Sequence, residues 1–385
     1  MVSDCYVPRL GGIEMQVHDL SVQLQAAGHE VVVLTPTPGP EEVDGVRVHR
    51  MQVPLLPFDI PYTRETFELV ASLLAAEHVD VAHFHGGILS PLAFGAASNA
   101  SDAGIPSVIT THCLWSYATP AFQLLNRRYQ WADWPVVLSA VSDVAAVPIR
   151  KVAGPAAEVM ILPNGINRDD WVVTPAPRDA SVVTVVSVMR LAPRKRPMHL
   201  MKMLRRVHEQ LPPGIELRAV IIGEGPERSS MERYLAKHHL GRLVELTGRL
   251  TREEIRDQFS RADIFVAPAN LESFGIAALE ARSAGLPVIA KARTGIREFI
   301  AHGQEGLLAE SDGDMVAQLV RLIRDAPLRN QMAEHNRTTA PPVAWAQVVE
   351  MNLAAYRAAV ELVSSARRPS TGRAEEPPPA GTATG

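Results

Sequence analysis

From Gly12 onward the chain alternates short β-branched runs with longer segments whose apolar residues recur at helical spacing. Ile13, Val17, Leu20 and Leu24 lie on one face of a predicted helix, Gly28 stops it, and the run Val31 to Leu34 follows as a buried strand. The runs VDVAHF, PSVITTH and VVLSAVS repeat that behaviour, each apolar until polar residues appear at its carboxyl end. Continuous apolar runs of this kind predict parallel strands covered on both faces. A second series, VVTVVSV (Val182 to Val188), ELRAVII, RLVEL, DIFVA and PVIA, is again separated by helix-like segments. Two alternating series predict an α/β protein of two domains with parallel sheets.

Turn formers and two prolines in NGINRDDWVVTPAPRDAS interrupt the periodicity near Asn167 to Ser181. The predicted domains are therefore residues 1–166 and 167–344. Trp345 to Val363 reads as one long amphipathic helix, and residues 364–385, rich in Pro, Gly, Ser and Thr, are expected to be disordered. The opening MVSDCYVPRLGG resembles a first strand running into a phosphate-type loop, with only Met1 and Val2 as its apolar part. A central strand usually has about five or six residues, so the expectation is that a few upstream residues are missing, with a naturally short strand as the alternative.

Composition narrows the partners. The 385 residues suit two cores, and 46% hydrophobic residues can fill them. A formal net charge of −4 gives no global bias toward nucleic acid or an anionic membrane. The only cysteines, Cys5 and Cys113, lie far apart in sequence, which fits a reducing compartment. With no signal peptide and no apolar run of spanning length, the expectation is a cytoplasmic protein, with weak peripheral contact at the inner face of a membrane as a secondary expectation.

The candidate chemistry gathers at predicted strand ends, where open α/β sheets bind ligands. Gly11 and Gly12 precede the first helix and let its backbone approach an anion. Arg190, Arg194, Lys195 and Arg196 follow Val182 to Val188, and guanidinium and ammonium groups together suit a diphosphate; a solvated basic loop is the plainer reading. Gly223 and Gly225 suggest a dinucleotide fingerprint, but Arg228 stands where its third glycine belongs and Pro226 follows the second, which disfavours a dehydrogenase. His112 closes an apolar strand, and structural and acid/base roles stand level for it. His83, His85, His238 and His239 lack a metal-site pattern.

NLESFGIAALEARSAG, Asn270 to Gly285, sets Glu272 before a predicted helix and Glu280 within it. Were all eight steps helical, the two backbones would lie roughly 12 Å apart along the axis. Two carboxylates flanking one glycosidic bond lie about 5 to 9.5 Å apart, so the pair is read as gripping two ends of something long rather than as a hydrolase dyad. The amides of Phe274, Gly275 and Ile276 at that helix start suit an anion. A capping role for Glu272 and a surface charge for Glu280 are the plainer alternatives.

LGGIEMQV, VITTH, AVSD, LPNGIN, MRLAPRKRP, IIGEGPER, VELTGRL and ESFGIAALE together resemble the retaining glycosyltransferases of family 4, from about Gly11 to Trp345. The resemblance implies the GT-B architecture, two Rossmann-like domains facing across a cleft, with the final helix returning to the first domain. It implies that Glu272 lies near the reacting face of a donor sugar and that Glu280 holds the ribose hydroxyls of the nucleotide. Arg190 and Lys195 then contact the diphosphate with help from Gly11 or Gly12, His112 adjoins the sugar, and Arg249 lies near the base. The implied reaction is metal-independent, front-face transfer with retention, from a UDP-sugar or GDP-mannose to a small-molecule, glycan or lipid-linked hydroxyl. No cofactor and no nucleic-acid partner are expected. Leu114 to Trp134 is expected to combine packing with acceptor contact. A sugar-nucleotide epimerase, a phosphorylase and a catalytically silent binding protein are the alternatives.

Overall fold

The computed structural model describes residues 1–366 except Leu10, Phe58, Asp59, Ala156, Arg178 and Ala180. The expected disordered tail falls, from residue 367 onward, outside the described residues.

The first half contributes β1 (Val2–Ser3), β2 (Val32–Thr35), β3 (Glu42–Val43), β4 (Val46–Arg50), a small hairpin of β5 (Leu55–Leu56) and β6 (Ile60–Pro61), β7 (Ala82–Gly86), β8 (Ser107–Thr111), β9 (Val136–Ala140) and β10 (Val159–Ile161). Its helices are α1 (Gly12–Ala26), α2 (Arg64–Ala76), α3 (Pro91–Asp102), α4 (Thr119–Tyr129) and α5 (Asp143–Ala153). The main sheet runs in the order β10-β9-β8-β7-β1-β2-β4-β3. Only the β3–β4 pair at its edge is antiparallel. Every residue of β2, β7, β8 and β9 is buried, as expected of strands covered by helices on both faces. The edge pair was not foreseen, because β4 alternates buried and exposed positions at its start instead of forming an apolar run.

The second half contributes β11 (Val182–Val188), β12 (Glu216–Ile222), β13 (Val244–Gly248), β14 (Ile264–Ala267), β15 (Val288–Lys291) and β16 (Gly306–Ala309). They form an all-parallel sheet in the order β13-β12-β11-β14-β15-β16. Its helices are α6 (Pro197–His208), α7 (Arg228–Lys237), α8 (Arg252–Arg261), α9 (Ile276–Ser283), α10 (Asp312–Arg324) and α11 (Ala326–Thr338). β11 and β12 coincide with the sequence expectation; β10 and β16 were not foreseen, β10 being only three residues long and β16 (GLLA) holding no β-branched residue.

The last helix, α12 (Trp345–Ala366), returns to the first sheet, where Ala355 and Ala359 pack with Val108, Val137 and Leu162. The two crossovers between the sheets run side by side. Ile166 N–H donates to Val343 O at 3.1 Å, and a Cβ on Gly165 would lie 2.4 Å from the Trp345 ring. Only glycine admits that contact. Gln16 of α1 closes a two-bond clamp on Gly165, accepting from its N–H at 3.0 Å and donating to its carbonyl at 3.2 Å.

The Gly223 and Gly225 pair also has a packing cause. Cβ atoms there would lie 1.9 Å from Met189 O and 2.4 Å from Leu191 O, so the glycines let the loop after β12 press on the loop after β11. Leu191 N–H donates to Glu224 O at 2.9 Å and completes the contact. The pair therefore braces the basic segment.

Candidate active site

The basic segment after β11 ends in a 3₁₀ turn, Pro193–Lys195, and its four cations divide by role. Lys195 Nζ pairs directly with Glu272 Oε2, both side chains largely shielded from solvent. Arg190 and Arg194 are exposed, and the Arg190 guanidinium makes no hydrogen bond or ion pair among the described residues. Arg196 is committed elsewhere. Its guanidinium bonds both Asp312 carboxylate oxygens at 2.9 and 2.8 Å, Asn270 Oδ1 at 2.9 Å and Pro268 O at 3.2 Å. The bonds from Arg196 and Lys291 hold the Asp312 carboxyl well below the usual range. The sequence expectation of four phosphate-facing bases is corrected at this position: Arg196 ties the loop to α10.

Glu272 does not cap α9. The N-cap is Gly275 at φ +95°, with no side-chain bond to the helix start. Glu272 O accepts from Gly295 N–H at 2.8 Å, and a Cβ on Gly295 would lie 1.9 Å from Ser273 O, so the loop rests on bare backbone. Helix geometry therefore covers only the steps from Ile276 to Glu280, and the 12 Å axial separation, drawn for eight helical steps, does not apply as such. The amides of Phe274, Gly275 and Ile276 find no acceptor among the described residues, leaving donors at the positive end of the helix dipole. Burial raises the Glu280 carboxyl to about 7, with Arg252 opposing and Asp19 adding to the shift. Arg252 lies 3.9 Å from Asp19 of α1 and 5.6 Å from the centre of the Trp171 ring. Glu280 thus sits where an α1 carboxylate and an α8 guanidinium meet from the two halves.

The first sheet supplies the opposite wall. Gly11 is the N-cap of α1 in extended backbone, and a Cβ there would fall 2.3 Å from Glu14 Oε2. Glu14, buried and paired with Arg9 at 3.1 Å, leans over that helix start. Gly12 faces α9, where a Cβ would touch Ile276 Cδ1 at 3.4 Å. His112 N–H donates to Gly86 O at 2.9 Å, and its carbonyl accepts from Ser273 Oγ at 2.6 Å. Ser142 Oγ, the cap of α5, accepts from Ala145 N–H at 3.1 Å and donates to Ser273 O at 2.5 Å. Ser273 is therefore stitched to both β8 and β9 ends beside the Lys195–Glu272 pair. Burial takes the His112 imidazole down to about 4, which leaves it neutral near pH 7.

Arg249, just past β13, is exposed. Among the described residues no group of three or more His, Cys, Asp or Glu side chains could hold a metal ion, and no helix is long and apolar enough to cross a membrane. The segment from Leu114 to Trp134 is two-sided. Trp115 stacks on Phe122 at 3.8 Å, and Phe94 and Trp131 complete an aromatic cluster in which the two tryptophans are buried and the two phenylalanines half-buried. Leu124, Tyr117 and Tyr129 stand 68%, 86% and 57% exposed on the other side.

Sequence reasoning missed Ser142, Ser273, Asp19, Arg252 and Glu14. Ser273, between the two glutamates, Ser142 in AVSD and Glu14 in LGGIEMQV stand inside the quoted motifs, whereas Asp19 and Arg252 lie on elements whose meeting cannot be read from one segment.

Known proteins resemble this chain along most of its length. Residues 10–170 match the model for Glycosyltransferase Family 4, and residues 176–339 match that for Glycosyl transferases group 1. The chain is 27% identical over 342 residues to the phosphatidylinositol N-acetylglucosaminyltransferase gpi3 subunit of Schizosaccharomyces pombe, covering 84% of this chain and 72% of that protein. It is 28% identical over 404 residues to a glycogen synthase of Mycobacterium tuberculosis, covering 93% and 94%. A structure of Anabaena Alr3699/HepE in complex with UDP and glucose superposes with a TM-score of 0.70 at 18% identity, covering 94% of this chain and 99% of that one. That likeness establishes the GT-B fold.

Proposed function

The chain belongs to the family 4 glycosyltransferases, and on that premise we propose that it moves a hexose-type sugar, with retention of configuration, from a nucleotide diphosphate donor to a hydroxyl acceptor. The observation that carries the reading is the Lys195–Glu272 ion pair beside the unpartnered amides of Phe274 to Ile276. Cations and oriented N–H groups suit a diphosphate, and a carboxylate beside them suits the positive charge that grows on the sugar.

In the proposed reaction the bond from sugar C1 to the diphosphate oxygen breaks, its electron pair leaving with the nucleotide diphosphate. The acceptor oxygen bonds to C1 from the same face, and its proton passes to the departing phosphate oxygen. Lys195 and Arg190 compensate the leaving charge, the α9 amides assist, and Glu272 steadies the oxocarbenium-like sugar. Gly12 backs the donor from α1. Glu280 takes the ribose hydroxyls, and Arg249 adjoins the base.

A UDP-sugar is the favoured donor, supported by the UDP in the HepE complex; a GDP-sugar is the alternative. The acceptor reading rests on exposed Tyr117, Leu124 and Tyr129 with Arg127 and Arg128 along α4, an amphiphilic face suited to an acceptor with an apolar part. Transfer assays over nucleotide hexoses, with product anomers read by NMR, test the proposal. Hydrolysis or epimerisation without glycoside product, or an inverted anomer, overturns it.

A further inference from the structure

Glu272 belongs to the second half, yet part of what holds its loop comes from the first. The loop and the 3₁₀ turn after β15, Gly295–Glu298, form one block. Gly295 N–H donates to Glu272 O at 2.8 Å. Bare backbone at two glycines lets the segments close on each other, since a Cβ on Gly275 would lie 2.5 Å from Ile296 Cγ1 and one on Gly295 1.9 Å from Ser273 O.

That block meets the first half at the start of α5, through two bonds. The Ser142 hydroxyl has a single proton and gives it to Ser273 O at 2.5 Å, while its oxygen accepts from Ala145 N–H at 3.1 Å. One residue on, Asp143 N–H, an amide the helix itself leaves without an acceptor, donates to Glu298 Oε1 at 3.1 Å. The Asp143 carboxylate bonds instead to Arg150 Nη1 at 2.7 Å, which balances its charge beside Glu298. Neither Ser142 nor Glu298 bonds to the Lys195 or Glu272 side chain among the described residues. Their grip falls on the two ends of the block: Ser273 directly follows Glu272, and Glu298 closes the turn whose Gly295 holds Glu272 O.

We propose that Ser142 and Glu298 are positioning residues for the transfer, docking the Glu272 block onto the start of α5 so that the carboxylate is in place only while the two halves are together. The inference rests on the donor-cleft reading above and adds the part played in it by the first half. A block released from α5 leaves Glu272 off its place and opens the reacting face to water, which takes the acceptor's position at C1 and yields free sugar and nucleotide diphosphate. Transfer and water exclusion therefore fail together.

The test, on the full chain, separates this role from the plain capping of α5. Ser142→Asp still offers an oxygen to Ala145 N–H but has no proton for Ser273 O, whereas Ser142→Thr keeps both functions. Glu298→Ala removes the acceptor of Asp143 N–H and leaves the α5 cap untouched, and Glu298→Gln keeps an acceptor. Ser142→Asp and Glu298→Ala should each lower kcat about tenfold, close to what one hydrogen bond supplies, and raise severalfold the share of donor ending as free sugar. Affinity for UDP should stay within about twofold of the wild type, because the donor contacts assigned above lie mainly in the second half. Ser142→Thr and Glu298→Gln should stay near the wild type throughout. Combined, Ser142→Asp and Glu298→Ala should lose less than the product of their effects, since both release one block. Amide exchange needs no turnover: Gly295 N–H should exchange about tenfold faster in Ser142→Asp and in Glu298→Ala. Wild-type kcat and exchange in those two variants overturn the proposal, as does a Ser142→Thr or Glu298→Gln protein equally impaired. Should exchange respond while Glu272→Ala leaves transfer intact, the donor-cleft reading fails and takes the positioning role with it, leaving only the docking.

Discussion

Lys195 and Glu272 come from different loops of the second sheet, 77 positions apart, and meet as an ion pair beside the start of α9. Each is the other's counter-ion before any donor arrives, so the site is charged and ordered in advance, the condition under which electrostatic stabilisation costs no reorganisation during reaction.

Lys195→Ala and Glu272→Ala should each lower kcat by about a hundredfold or more, the usual cost of removing one preorganised electrostatic group. Because they act as a unit, the double variant should lose much less than the product of the two effects. Circular dichroism should show the fold retained in all three. Independent, multiplying losses would mean that the pair does not work as one.

Arg190 and Arg196 separate rate from stability. Arg196→Ala removes charged hydrogen bonds to Asp312 and Asn270 and should cost about 1.5–3 kcal/mol in denaturant unfolding. Arg190→Ala removes no bond among the described residues and should leave the unfolding free energy within about 0.5 kcal/mol of the wild type while lowering the transfer rate. The opposite pattern would exchange the assigned roles.

Gly275→Ala tests whether α9 must start as it does. The residue sits at φ +95°, and a Cβ would lie 2.5 Å from Ile296 Cγ1, so strain and a clash coincide. A loss of about 1–3 kcal/mol is expected, together with weaker nucleotide binding because the helix-start amides shift. Unchanged stability and affinity would show that the loop is plastic.

Much of this was legible in the sequence because the local code and the fold agree. Val182 to Val188 and Glu216 to Ile222 read as buried strands and are β11 and β12. The loop–helix order around Glu272 and Glu280 was equally plain. What stayed hidden depends on meetings between distant segments. Arg196 and Lys195 are neighbours of the same charge, and only the approach of Asp312 and of Glu272 gives them different partners. His85 looked idle for the same reason, since its partner His112 is 27 positions away, across the parallel β7–β8 pairing. The edge strand β16 failed differently: its GLLA holds no β-branched residue, unlike the equally short β14 and β15.

On the proposed ribose role, the carboxyl of Glu280 should link nucleotide binding to pH. Burial raises it to about 7, against 4.5 for an ordinary glutamate, with Asp19 reinforcing and Arg252 opposing. A raised carboxyl contributes stability that is fully present below its unfolded value and is lost as pH rises from about 4.5 through about 7; the ligand-free protein should lose stability over that window. Ribose hydroxyls donate to the ionised form, so binding should release a proton and nucleotide affinity should rise with pH across the same range. Thermal unfolding with UDP, GDP, ADP and dTDP, each with and without EDTA, reads both effects. At about a hundred times its dissociation constant one nucleotide should add about 2.7 kcal/mol, UDP on the present reading, with EDTA making no difference. Glu280→Gln cannot ionise, so it should bind more weakly and lose the pH slope. Stabilisation by GDP instead would change the donor base and leave the site intact, whereas a wild-type slope retained in Glu280→Gln would remove Glu280 from the ribose.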